Sequence, residues 1–183
     1  MNRSVFLLAG FSVSLLAGSP ATAEDTPVPC GPQAAVYFAD GAPTDRFRIE
    51  NRSSDVWQIV RVDIDLGTAP AGVFFDPTGA GAGSSVFQPF VDAGGDGELS
   101  GASALTDGGT VLTLSFARFP AQGMHEFTAD IDDSGPTSTR VSGGEIAGAS
   151  IRVAFESPFG EATKTGTFAP SGVALAGEAR GCV

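Results

Sequence analysis

The residues of this chain best suited to chemistry are its aspartates. In Ala129-Asp130-Ile131-Asp132-Asp133-Ser134-Gly135, two carboxylates recur at period two and a third follows at once. On a strand, that spacing puts Asp130 and Asp132 on one face at the lip of a turn, with Asp133 just beyond. Carboxylate oxygens converging from a loop edge suit a hard cation, and calcium takes about six to eight of them. A second set lies in Asp92-Ala93-Gly94-Gly95-Asp96-Gly97-Glu98-Leu99, with acids at loop positions one and five, glycine at six and an apolar residue at eight. Those positions match a helix-flanked calcium loop. Position three is Gly94, position twelve is Ser103, and no helical period flanks the segment, so the match is partial. The candidate metal ligands are therefore Asp130, Asp132, Asp133, Asp92 and Asp96, and the candidate ion is calcium. The competing account is a solvated turn, in which Asp132 pairs with Arg140 across a hairpin and Asp133 caps the reversal.

Catalytic residues are not expected. His125 is the one histidine, beside Met124 at the start of a strand, with no nucleophile at a workable spacing. An isolated histidine of this kind is expected at a surface or a sheet edge. No nucleophile elbow, phosphate loop or zinc signature occurs. The expected role is non-enzymatic.

The elements that must position these acids are strands. In residues 57–66, Val60, Val62, Ile64 and Leu66 alternate with Arg61, Asp63 and Asp65, one dry face against one wet. Phe47-Arg48-Ile49-Glu50 alternates in the same way. Leu112, Leu114 and Phe116 form another inward row, as do Ile151, Val153 and Phe155. Phe127, Ala129 and Ile131 are expected inward, with Thr128, Asp130 and Asp132 outward. Asp107-Gly108 marks a hairpin, and Asp133-Ser134-Gly135-Pro136 a chain reversal. A last hairpin is expected to pair residues 163–168 with 173–179 across Pro170-Ser171-Gly172. Residues 79–84, rich in glycine, are expected as a flexible loop, and Trp57 as part of the core. The sum is an all-β fold: a two-sheet antiparallel β-sandwich, jelly-roll-like, of about ten short strands.

The first 23 residues predict export. Arg3 is a positive n-region, residues 5–16 are an apolar run too short for a membrane span, and Ala21-Thr22-Ala23 is a small-x-small cleavage site. Ser19 stands where a lipoprotein would carry cysteine, so a free product is expected, secreted or periplasmic. Residues 24–183 then form a single domain. Cleavage removes Arg3 and no acid, leaving nine basic against 21 acidic side chains and a net charge of −12. So acidic a surface repels phosphate backbones, which excludes nucleic acid as an expected partner, and no second apolar segment suggests a membrane span. With one lysine against many arginines, the chain points to a GC-rich bacterial genome, where the sequon Asn51-Arg52-Ser53 is a coincidence of sequence. Cys30 and Cys182 are the only cysteines, and in an oxidising compartment they predict a disulfide that brings the two ends of the domain together.

Four segments carry a resemblance: FRIENRSSDVWQIVRVDIDLG, FFDPTGAGAGSSVFQPF, FTADIDDSGP and VSGGEIAGASIRVAF. Over residues 47–155 the chain resembles exported bacterial proteins named "aggregation factor core". That name is borrowed from sponge core proteins that hold cells together in a calcium-dependent way. The resemblance implies a β-rich fold, adhesion or surface association, and calcium at Asp130 and Asp132. The expected partner is a protein or glycan at the cell surface. The alternative is a small carbohydrate-active enzyme or a calcium-dependent carbohydrate-binding module, which convergent carboxylates in a concave sheet would favour.

Overall fold

A computed structural model of the protein describes residues 31–41, 44–81, 83–84, 87–135 and 140–177. Within them lie twelve strands: β1 (Ala34–Ala39), β2 (Asp45–Asn51), β3 (Gln58–Asp65), β4 (Phe74–Phe75), β5 (Val91–Gly95), β6 (Glu98–Ala102), β7 (Val111–Arg118), β8 (Met124–Ala129), β9 (Ile131–Asp132), β10 (Ser150–Ser157), β11 (Gly160–Thr167) and β12 (Val173–Ala176). One five-stranded sheet has the order β12-β1-β2-β8-β5 and the other β11-β10-β3-β7-β6; β4 and β9 form a small third sheet. All pairings are antiparallel. The two large sheets face one another, and the expected β-sandwich is the observed fold.

The alternating rows explain why. Phe47 and Ile49 of β2 and Phe127 and Ala129 of β8 point inward from the first sheet. They meet Val62, Ile64, Leu112, Leu114, Ile151, Val153 and Phe155 from the second. Phe47 and Phe127 lie opposite one another in register and stack with centroids 4.9 Å apart. A buried side chain of this size contributes roughly 1.5–3 kcal/mol, so these rows dominate the stability of the domain.

Three local expectations change. The dry row of β3 begins at Ile59, not Val60: a bulge opposite Ala154 and Phe155 shifts the register, burying Ile59 and leaving Val60 half-buried. Trp57 likewise stays half-buried, packed against the margin of the core. Residues 163–168 do not form a hairpin with 173–176. β11 pairs with β10, β12 pairs with β1, and only the bridge Phe168 to Ala174 joins the two segments as the chain changes sheets. Lys164, on the inward side of the edge strand β11 opposite Val153, discourages pairing with a further strand.

The pairing of Ala34 with Ala176 puts the first and last described strands side by side. Cys30 and Cys182 lie outside the described residues. Asn51 is 1% exposed and donates to the Trp57 and Phe119 carbonyls at 3.0 and 3.1 Å, which leaves the sequon no free amide in the folded state. No helix among the described residues is long and apolar enough to cross a membrane.

Candidate functional site

The expected wet face at Asp130 and Asp132 is enclosed. Asp130 is 7% exposed and Asp132 is 2% exposed. The cause is the small sheet: Phe75, fully buried, pairs with Ile131, and the Asp76 amide donates to the Asp130 carbonyl at 3.0 Å. This brings in two acids that the sequence did not single out. Asp76 follows β4 and is wholly buried, and neither of its carboxylate oxygens has a hydrogen-bond partner among the described residues. Asp45, at the start of β2, is 3% exposed and accepts from the amides of Gly41 at 3.1 Å and Ile131 at 3.2 Å. Asp130 Oδ2 is also buried without a partner among the described residues.

The glycine-rich segment after Asp76 folds over this group and is tied to it. The Ser84 amide donates to Asp132 Oδ2 at 2.6 Å. Asp107 accepts from the Thr78 amide and hydroxyl and from the Ala80 amide, and these bonds, the Thr78 hydroxyl foremost, hold its carboxyl below the usual range. Gly83 has a φ of +111°, and a Cβ placed there would stand 2.1 Å from Asp76 Oδ2 and 2.8 Å from Asp132 Oδ2. Only glycine permits that approach.

Crowding acids away from water raises their pKa values. Burial pushes Asp45 up to about 7, against the lowering effect of its two backbone bonds, with Asp40 and Asp132 adding repulsion. Burial first, then the charges of Asp132, Asp45 and Asp76, takes Asp130 to about 7. Asp76 rises to about 6 through burial and the neighbouring Asp132. The arginine ion pairs lie elsewhere: Arg140 meets Asp40, not Asp132, and Arg48 and Arg52 meet Glu50. Among the described residues no group of three or more acidic, histidine or cysteine side chains stands in a geometry that could hold a metal ion.

The other candidate ligands do not join this cluster. Asp133 turns back to cap its own reversal through the Gly135 amide. Asp92 and Asp96 serve the β5–β6 connection. Asp92 accepts from the Gly94 amide and faces His125 Nε2 at 3.1 Å, and Asp96 accepts from the Met124 amide at 3.1 Å. The acids of that loop are thus engaged along a strand edge, with backbone amides and His125. His125 itself is buried, contrary to the surface position expected. Its Nδ1 lies 3.0 Å from the Gly97 carbonyl, and its ring meets Phe116 edge-on at 5.1 Å.

A second polar feature lies on the outer face of the second sheet, where an open groove of about 680 Å³ crosses β11, β10, β3 and β7. Its floor carries Arg61, Asp63, Thr113, Arg152 and Thr165. Asp63 is fixed by Arg61 Nε at 2.9 Å and by the Thr113 hydroxyl at 2.7 Å. Arg152 stands opposite Asp63 in register, but Asp63 is already engaged, and Arg152 has no hydrogen bond or ion pair among the described residues. The outer face of the first sheet differs: there Tyr37, Arg48 and Arg52 all close on Glu50. The chain matches no family model, no curated protein and no solved structure.

Proposed function

We propose that this is an exported, non-enzymatic β-sandwich that binds a glycan or protein at the cell surface or in the surrounding matrix. The contact face is the groove on the outside of its second sheet. The observation that carries this reading is Arg152, a guanidinium without a hydrogen bond or ion pair among the described residues, on a groove floor whose other charged groups are already held in place. A guanidinium beside fixed carboxylate and threonine hydroxyl groups suits a hydroxylated ligand, because donors and acceptors alternate within a rigid surface. Val111, half exposed at the groove rim, offers the apolar contact such a ligand needs. Asp63 accepts from both Arg61 and Thr113, an arrangement that suits recognition better than proton transfer. The apolar run and small-x-small site of residues 1–23 support export, and the resemblance over residues 47–155 supports an adhesive setting.

A glycan array probed with the mature protein tests this, alongside Arg152→Ser in the groove and Tyr37→Ser on the opposite sheet. The expected result is a signal lost in the first variant and kept in the second. Loss in Tyr37→Ser alone would move the contact face to the first sheet. A silent array with the wild type would remove the glycan reading and leave a protein partner.

A further inference from the structure

We propose that Asp76, Asp130 and Asp132 hold a calcium ion beneath the Gly83–Ser84 backbone, with Asp45 anchoring the Ile131 amide between two of them. The inference does not depend on the groove. An ionised carboxylate buried without a partner is costly, and buried charges are normally paired, hydrogen-bonded or bound to a metal. Asp76 is wholly buried with neither oxygen hydrogen-bonded among the described residues, and Asp130 Oδ2 is a third such oxygen. Asp76 Oδ2 and Asp132 Oδ2 both flank the point where Gly83 lacks a side chain, and Asp130 is tied to Asp76 through its carbonyl, which accepts from the Asp76 amide. That cradle requires glycine, and the Ser84 amide pins Asp132 at its rim.

The donor set selects the ion. All candidate ligands are oxygens, which excludes a preference for zinc or copper and leaves calcium, magnesium or manganese. Calcium accepts irregular shells of about six to eight oxygens, so carboxylates with backbone carbonyls and water suffice. Magnesium demands a rigid octahedron and keeps its waters, which irregularly placed carboxylates serve poorly. The carboxylates do not yet form a closed set, so the ion is expected to draw them together rather than slot into finished geometry.

The test uses the whole mature protein, stripped of metal with a chelator and titrated calorimetrically with calcium chloride at constant ionic strength. One calcium per chain is expected, with an unfolding temperature raised by about 5 °C or more in millimolar calcium. Magnesium at the same concentration should do much less. Asp76→Asn should weaken calcium binding about tenfold or more, and it should fold, because it removes a buried unpaired charge. Asp132→Asn gives the same readout should Asp76→Asn fail to fold. Asp133→Asn should bind as the wild type does. Absence of both heat and thermal shift in the wild type would overturn the proposal. So would undiminished binding by the Asp76 and Asp132 variants, or loss of binding in Asp133→Asn alone.

Discussion

Lowering the pH should stabilise the metal-free protein, a consequence of the acid cluster that can be worked through in numbers. Asp45, Asp130 and Asp76 are held at about 7, about 7 and about 6 in the folded state, against 3.8 for a free aspartate. The folded protein therefore binds these protons more tightly than the unfolded chain does. Below the unfolded value both states are protonated and the stabilisation is fully present. As the pH rises from about 4 the unfolded chain gives up its protons first, so each further increase favours unfolding, and above about 7 the loss is complete. Each unit of difference is worth about 1.36 kcal/mol, so Asp45 alone accounts for a loss on the order of 4 kcal/mol. The three acids share neighbours and do not act independently, so that figure is not tripled. Urea unfolding with chelator present, at about pH 5 and about pH 8, should show a midpoint lower by about 1–2 M at the higher pH. Asp45→Asn should flatten the dependence. A stability that is constant or increases between those two pH values would refute the reasoning.

Other outcomes follow from the packing. Val62→Asp or Ile64→Asp puts a charge on a fully buried position of β3 and should cost several kcal/mol. Asp63→Asn, on the outer face, should cost about 1 kcal/mol through its weakened bonds to Arg61 and Thr113, which equal denaturation midpoints for all three variants would contradict. Gly166→Ala should destabilise by about 1–3 kcal/mol, because its Cβ would stand 2.2 Å from the Leu175 carbonyl oxygen, and thermal unfolding at the wild-type temperature would count against that approach of β11 to β12. Non-reducing mass spectrometry of natively exported protein should show Cys30 joined to Cys182, a bond worth up to about 5 kcal/mol for so long a loop. Two alkylatable thiols would dismiss it.

The sandwich was legible because its inward rows are short-range: Phe47 with Ile49, Leu112 with Leu114, and Ile151 with Val153 announce their strands by alternation alone. What alternation does not encode is partnership. The bulge at Val60 that buries Ile59 shows only in the register of β3 against the distant β10, and the change of sheet between β11 and β12 depends on β1, more than a hundred residues earlier. The cluster was half legible for the same reason. Asp130 and Asp132 are separated by one residue and could be paired by spacing. Asp45 and Asp76 reach them only through β2 and β4, and Asp76 in Phe75-Asp76-Pro77 carries only the local signature of a turn. Period two assigned Asp130 and Asp132 to solvent, which the structure overturns: both are buried where the chain passes from β8 into the small third sheet. His125 was misplaced because its burial depends on Gly97, in the β5–β6 turn, and on the Phe116 ring of β7.

The central claim is that the outer face of the second sheet is the contact face. Site-specific photocrosslinking tests it most directly, with a photoreactive side chain at Thr165 on the groove floor or at the exposed Arg46 on the first sheet, each protein applied to intact producing cells. The account predicts a discrete adduct from position 165 that disappears in Arg152→Ser, and none from position 46. An adduct from position 46 with none from 165 would contradict it.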